Sequence, residues 1–185
     1  MARVPYLESS DLAPHDRDLL ARNINLHRAL AHSPDAARSF LGLGRYIRFQ
    51  SRLDPRLREL AILQVGYAAQ SPYEFSHHVR IGREFGVTDE DIRAIQAENT
   101  GQLTDLSALA RAVLRAAREM TVRADLSDET FAELRKGLDN QQLVDLLVTI
   151  SFYCGVVRLL GALRIDVEDD YLQYLREFPL PEQDR

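Results

Sequence analysis

The chain of 185 residues holds a single cysteine, Cys154. A lone thiol closes no internal disulfide, so any peroxidase or exchange mechanism that needs a second internal cysteine is excluded. The apolar run LLVTISFYCGVVRLLGAL around it is the setting of a small buried hydrophobe rather than a reactive thiol. A basic stripe is also lacking: the formal charge of -5 argues against a phosphate backbone as partner. Glycine-rich nucleotide fingerprints are missing, since GLG at 42 to 44 has neither the remaining glycines nor a preceding strand. No stretch is read as an uncharged span long enough for a bilayer, and MARVPYLESSDLAPHD has no signal-peptide core. The expected setting is therefore cytoplasmic, with no membrane and no nucleic acid among the partners.

What is present is helical patterning without strand alternation. Hydrophobic residues make up 45% of the chain, enough for one core and one domain over 1–185. A first helix is expected over 15 to 31, ending at HSPD, and a second to about Gln50. Asp54 and Pro55 are a strong start signal, a capping aspartate before a proline at the first helical position. In LRELAILQVGYAAQ the residues Leu57, Leu60, Ala61, Leu63 and Gln64 recur at near-helical spacing. Ser71 with Glu74, and Thr88 with Asp91, read as capping boxes. Further helices are expected over 105 to 120, from Ser127 to near Gly137, and over the very apolar 140 to 160. After about 165 the chain reads as a peripheral tail with one short helix around 168 to 176 and a draped PLPEQDR end. The sum is an all-α bundle of about eight helices.

The chemistry concentrates in SPYEFSHH, residues 71 to 78. Glu74 and His78 are four residues apart, one turn apart on the same helical face, and Tyr73 and His77 form a second such pair. A carboxylate beside an imidazole fixes its tautomer and raises its pKa, as acid/base work near neutral pH requires. The plainer reading of Glu74 is a helix cap. Glu59 stands among Leu60 and Leu63 on the preceding helix, where burial would demand a partner; its plainer reading is an intrahelical salt bridge. Adjacent histidines diverge on a helix and HExxH is absent, so no metal is expected. No other cofactor is implied. His27 on the first helix and Tyr153 in the last apolar run are candidate pocket residues, with surface placement and core packing as their alternatives. Arg80 and Arg83 could draw in a carboxylate or simply be solvated.

At these residues the sequence resembles the carboxymuconolactone decarboxylase family, which includes the AhpD-like alkylhydroperoxidases. The resemblance is carried by RLRELAILQVGYAAQSPYEFSHHVRIGREFGVTDEDIRAI at 56 to 95, supported by NLHRALAHSP at 25 to 34 and LVTISFYCGVVRLLGAL at 148 to 164. It implies an AhpD-like orthogonal helical bundle and a homo-oligomer (dimer, trimer or hexamer). In the peroxidase branch a glutamate, a CxxC pair and a following histidine form the site. Glu59 corresponds to the relay glutamate and His78 to the distal histidine. Ser71 and Glu74 occupy the two cysteine positions, with Tyr73 between them, so the redox couple is missing and thiol peroxidase activity is disfavoured.

The decarboxylase branch implies proton-transfer chemistry on a small carboxylated lactone or unsaturated acid. On that expectation His78 is the acid/base, Glu59 tunes it, and Tyr73 or His77 meets a substrate oxygen; Glu74, Ser71, His27 and Tyr153 bind the substrate. Two alternatives stand beside it: a non-catalytic oligomer that binds a small ligand, and a divergent peroxidase-like protein using Cys154 between molecules.

Overall fold

The computed structural model describes residues 1–181. Nine α-helices lie among them: α1 (Asn25–Leu30), α2 (Pro34–Phe49), α3 (Pro55–Ala68), α4 (Pro72–Glu84), α5 (Asp89–Asn99), α6 (Ala108–Arg123), α7 (Asp128–Arg135), α8 (Asn140–Leu163) and α9 (Leu172–Glu177). No strand is present among the described residues, and the class is all-α as the periodicity predicts.

The local signals explain most boundaries. The Asp54 carboxylate accepts the Leu57 N–H at the start of α3, with Pro55 at its first position. Thr88 and Asp91 form the expected capping box of α5, and Ser127 caps α7. The expected first helix over 15 to 31 is not continuous. Pro14–Leu20 winds as a 3-10 helix, and α1 begins only at Asn25. Its first N–H donates to Glu168, far away in sequence, at 2.6 Å. A tertiary cap, invisible to local propensity, sets that start.

Helix α3 is the hub, packing against α4, α5, α6 and α8. Every residue from Leu57 to Tyr67 is buried, so this helix has no solvent face and its polar residues must find partners inside. Gln64 does so through a reciprocal pair of hydrogen bonds with Asn99 of α5, at 2.8 and 3.2 Å. Helix α4 lies unusually close to α3 because of Gly66. A Cβ there would stand 3.1 Å from the Phe75 backbone nitrogen and 3.2 Å from its Cα.

Two expectations are corrected, the first by the length and composition of one helix and the second by packing. Helix α8, with 24 residues, is long and apolar enough to cross a membrane by length and composition. In this fold Leu143, Leu146, Ile150, Val157 and Leu160 carry it into the protein core. The segment from about 165, expected as a peripheral tail, is also built into the body. Ile165, Tyr171 and Phe178 are buried, Phe178 to 1% exposure. The end of the PLPEQDR stretch, 182–185, lies outside the described residues.

Candidate active site

Four charged or ionisable side chains meet where α3 and α4 touch. Glu59 is fully buried on α3, and its Oε2 lies 2.6 Å from His78 Nδ1 on α4. Its other oxygen accepts Arg58 Nε–H at 3.0 Å. Across the imidazole, His78 Nε2 lies 3.0 Å from Glu74 Oε1. Both ring nitrogens thus face carboxylates, which is the arrangement of an imidazolium. With His78 protonated, the charges of Arg58, Glu59, His78 and Glu74 cancel, which makes their shared burial tolerable.

Burial pulls His78 towards neutrality, but the carboxylates of Glu59 and Glu74 outweigh it and raise its pKa. Burial pushes Glu59 the other way, and the opposing pull of His78 and Arg58 leaves its carboxyl below the ordinary range. The close approach permitted by Gly66 brings the two helices together. Arg58 is itself 2% exposed; it donates to the Arg48 carbonyl at 3.0 Å and lies over the Phe85 ring.

A cavity of about 210 Å³ opens beside this cluster. His78 and Glu74 line one side, while Glu59 stands behind His78 and does not reach the cavity. Glu74 therefore presents the pocket-facing carboxylate. This corrects its reading as a cap: Ser71 makes no side-chain cap bond, no capping box forms, and Glu74 turns to His78 instead. Ser71, expected to touch substrate, sits in the α3–α4 turn, where its N–H donates to the Gly66 carbonyl, and it does not line the cavity.

Tyr73 and His77 line the cavity, but their polar atoms are engaged. Tyr73 Oη accepts the Leu26 N–H and donates to Glu168 Oε1, each at 3.1 Å. His77 Nε2 meets Glu168 Oε2 at 2.7 Å. The His77 ring is stacked between Tyr73, with centroids 4.2 Å apart, and Tyr171, at 3.6 Å. Burial holds His77 below its ordinary pKa despite Glu168, and burial likewise raises the Tyr73 phenol. These two residues anchor the C-terminal segment, and their polar atoms are engaged by Glu168 and Leu26 rather than left for the substrate oxygen that the decarboxylase resemblance implied. Glu168 was not foreseen, because nothing local marks an acid in a segment that reads as a tail.

His27 and Tyr153 also line the cavity, as expected. The His27 Nδ1 atom is buried without a hydrogen-bond partner. Burial, with Arg22 nearby, lowers its pKa to about 4, so the ring is neutral. Tyr153 packs edge-on to His78 with centroids 5.0 Å apart, and burial raises its phenol pKa. Arg80 and Arg83 do not line the cavity: Arg83 pairs with Asp89 and Glu177, and Arg80 faces Glu84. The arginines that do line it are Arg22, Arg45 and Arg48. Cys154 is buried on α8 with its Sγ 3.4 Å from Thr121 Oγ1, and it is absent from the cavity wall.

The solved structures most informative for this fold share little sequence with it. A peroxidase-related protein with an alkylhydroperoxidase AhpD core, from Ralstonia eutropha JMP134, is 20% identical with a TM-score of 0.78, covering 97% of this chain and 98% of its own. A cysteine-to-alanine variant of the debrominase Bmp8, in complex with 2,3,4-tribromopyrrole, is 20% identical with a TM-score of 0.81, covering 96% and 100%. A peroxidase-related protein from Silicibacter sp. TM1040 is 16% identical with a TM-score of 0.70, covering 91% and 89%. No curated protein sequence matches the chain. The model of the carboxymuconolactone decarboxylase family matches residues 34–119, which span Glu59, Glu74 and His78. Residues 34–119 are thus similar to the carboxymuconolactone decarboxylase family and the fold is AhpD-like, in a form without the CxxC pair.

Proposed function

We propose that the protein is an acid/base enzyme that decarboxylates, or moves a proton on, a small carboxylated lactone or unsaturated acid. The observation that carries this reading is the buried chain Glu59, His78, Glu74, which ends at the cavity. In such a chain Glu59 holds the imidazolium in place, His78 stores a proton, and Glu74 exchanges it with the ligand. This revises the expectation that His78 itself meets the substrate.

For a decarboxylation the balance is simple. The bond from carbon to the carboxylate breaks, its electron pair stays on carbon as an enolate, and carbon dioxide leaves. Glu74, loaded from His78 Nε2, delivers the proton to that carbon. Solvent then restores the proton to His78, so one proton is consumed per turnover. A cavity largely walled by apolar side chains strengthens each electrostatic contact in this sequence. Thiol chemistry of the kind a CxxC pair supports has no counterpart here, because Cys154 does not line the cavity.

The test is carbon dioxide release from 4-carboxymuconolactone by metal-free protein, compared with Glu74→Gln and His78→Ala. Turnover by the wild type and a drop of about 10²–10⁴-fold in each variant is the expected result. Undiminished turnover in His78→Ala would overturn the assignment, and a wild type without turnover would remove this substrate.

A further inference from the structure

Helix α2 presents Leu41, Gly44, Arg45 and Arg48 to the cavity, one stripe at helical spacing. Together with Arg22 this places three guanidinium groups around a small cavity in a chain of net charge -5. Arg28, Arg38, Arg56 and Arg83 each pair with a carboxylate. None of Arg22, Arg45 and Arg48 forms an ion pair among the described residues. With the Arg58, Glu59, His78 and Glu74 cluster neutral, the positive charge at this cavity is uncompensated from within.

One of the three is fixed in register with the catalytic side. Asp145 of α8 accepts hydrogen bonds from Tyr46 Oη, Ser51 Oγ and the Arg52 N–H, all at 2.9 Å, which clamps the end of α2 onto α8. One turn or two away, Phe40 and Phe152 pack with ring centroids 4.8 Å apart. Close to these ties Arg48 of α2 and Tyr153 of α8 line the same cavity. Tyr153 is the residue packed edge-on to His78. The phenol keeps its proton because burial opposes ionisation, so it is a hydrogen-bond donor.

We infer that Arg48 and the Tyr153 hydroxyl form an anion seat for the carboxylate that a small ring acid keeps through the reaction, while the ligand's apolar body lies against Phe40 and Phe152. The inference rests on the acid/base reading for its orientation and adds the residues that select the ligand. Glu74 repels a carboxylate and Arg48 attracts one, so the anionic end points to α2. The ligand's ring or double bond is thereby turned towards Glu74. Arg22 and Arg45 raise the local concentration of anions without fixing the pose. The small volume of about 210 Å³ restricts the ligand to roughly a single ring.

The test uses 2-furoate as the probe and 2-furamide as its uncharged counterpart, titrated calorimetrically into wild type, Arg48→Gln, Tyr153→Phe and the remote control Arg80→Gln. Saturable furoate binding by the wild type, at least ~10-fold weaker in Arg48→Gln and a few-fold weaker in Tyr153→Phe, is expected. Furamide affinity should not follow that order, and Arg80→Gln should match the wild type. The near-isosteric Tyr153→Phe keeps the question answerable if Arg48→Gln folds poorly. Equal furoate affinity in wild type and both variants, or no furoate binding by the wild type, overturns the seat. Furoate binding that depends on Arg48, with no turnover on any acid, leaves the seat standing and removes the acid/base reading. Turnover with KM unchanged in Arg48→Gln does the reverse.

Discussion

Glu59 Oε2 stands 2.6 Å from His78 Nδ1, and both side chains are buried where α3 meets α4. A carboxylate withdrawn from water needs compensation, and here it comes from His78 on one oxygen and Arg58 on the other. The pair is therefore structural in the first place. It closes the interface between the two helices and, on the proposed acid/base reading, holds the proton that Glu74 would pass on.

Replacing Glu59 with Gln removes the charge but keeps the size. The His78 proton then loses its main stabiliser, and Arg58 is left with an uncompensated buried charge. A loss of about 3–5 kcal/mol in unfolding free energy is expected, together with a lower His78 pKa. Urea denaturation measures the first and the imidazole C–H shifts in an NMR titration measure the second. An unchanged titration midpoint would show that Glu59 does not hold the His78 proton.

The geometry of that pair depends on a residue with no side chain. Gly66→Ala places a methyl group 3.1–3.2 Å from the Phe75 backbone, which cannot swing aside as a side-chain tip could. Helix α4 must shift away from α3, at a cost of about 1–3 kcal/mol. The shift lengthens the Glu59 to His78 contact, so activity should fall along with stability. A variant that is destabilised yet fully active would mean the site tolerates a wider spacing.

Much of this was legible in the sequence, and the failures have a common cause. Asp54 with Pro55, Thr88 with Asp91, and Ser127 mark their helices because capping is settled within four residues. Glu59 is traceable because a glutamate amid Leu60, Ala61 and Leu63 has to be buried on a helix without a polar face. Ser71 and Glu74 carry the same capping grammar, but His78 offers Glu74 a partner one turn on, and the tertiary site claims it. Glu168 and the α1 start it caps are joined only by folding. Arg22, Arg45 and Arg48 look like any solvated arginines until α2 is laid against α8. A weak signal for the last two did exist, in the helical stripe of Leu41, Gly44, Arg45 and Arg48.

Glu168→Ala should release the C-terminal segment. The Asn25 N–H, the Tyr73 hydroxyl and His77 all lose their shared acceptor. Each group left buried without a partner costs about 1–3 kcal/mol unless water reaches it. Amides in α9 and at the start of α1 should exchange faster than those of α3, as read by hydrogen exchange. Equal exchange in variant and wild type would show that the stacked Tyr171 and the buried Phe178 hold the segment unaided.

The pH dependence of stability follows from groups whose shifts point in opposite directions. His78 has a raised folded pKa, so its contribution is complete below the ordinary histidine value near 6.5 and is lost as pH climbs through the folded value. Glu59 has a lowered folded pKa; its contribution is present above the ordinary glutamate value and is lost as pH falls through the folded one. His27, held neutral down to about 4, behaves like an acid-side liability. Its unfolded form takes up a proton below about 6.5 while the folded form does not, so stability falls between there and the folded pKa. His78→Gln should flatten the alkaline limb and also weaken the part of the acid slope that Glu59 owes to His78, whereas His27→Gln should reduce the acid slope and leave the alkaline limb. Unfolding free energies from urea titrations between about pH 4 and pH 9 separate the two. An alkaline limb of the same steepness in His78→Gln would mean that some other group carries it, and that the imidazole between Glu59 and Glu74 is not the proton store.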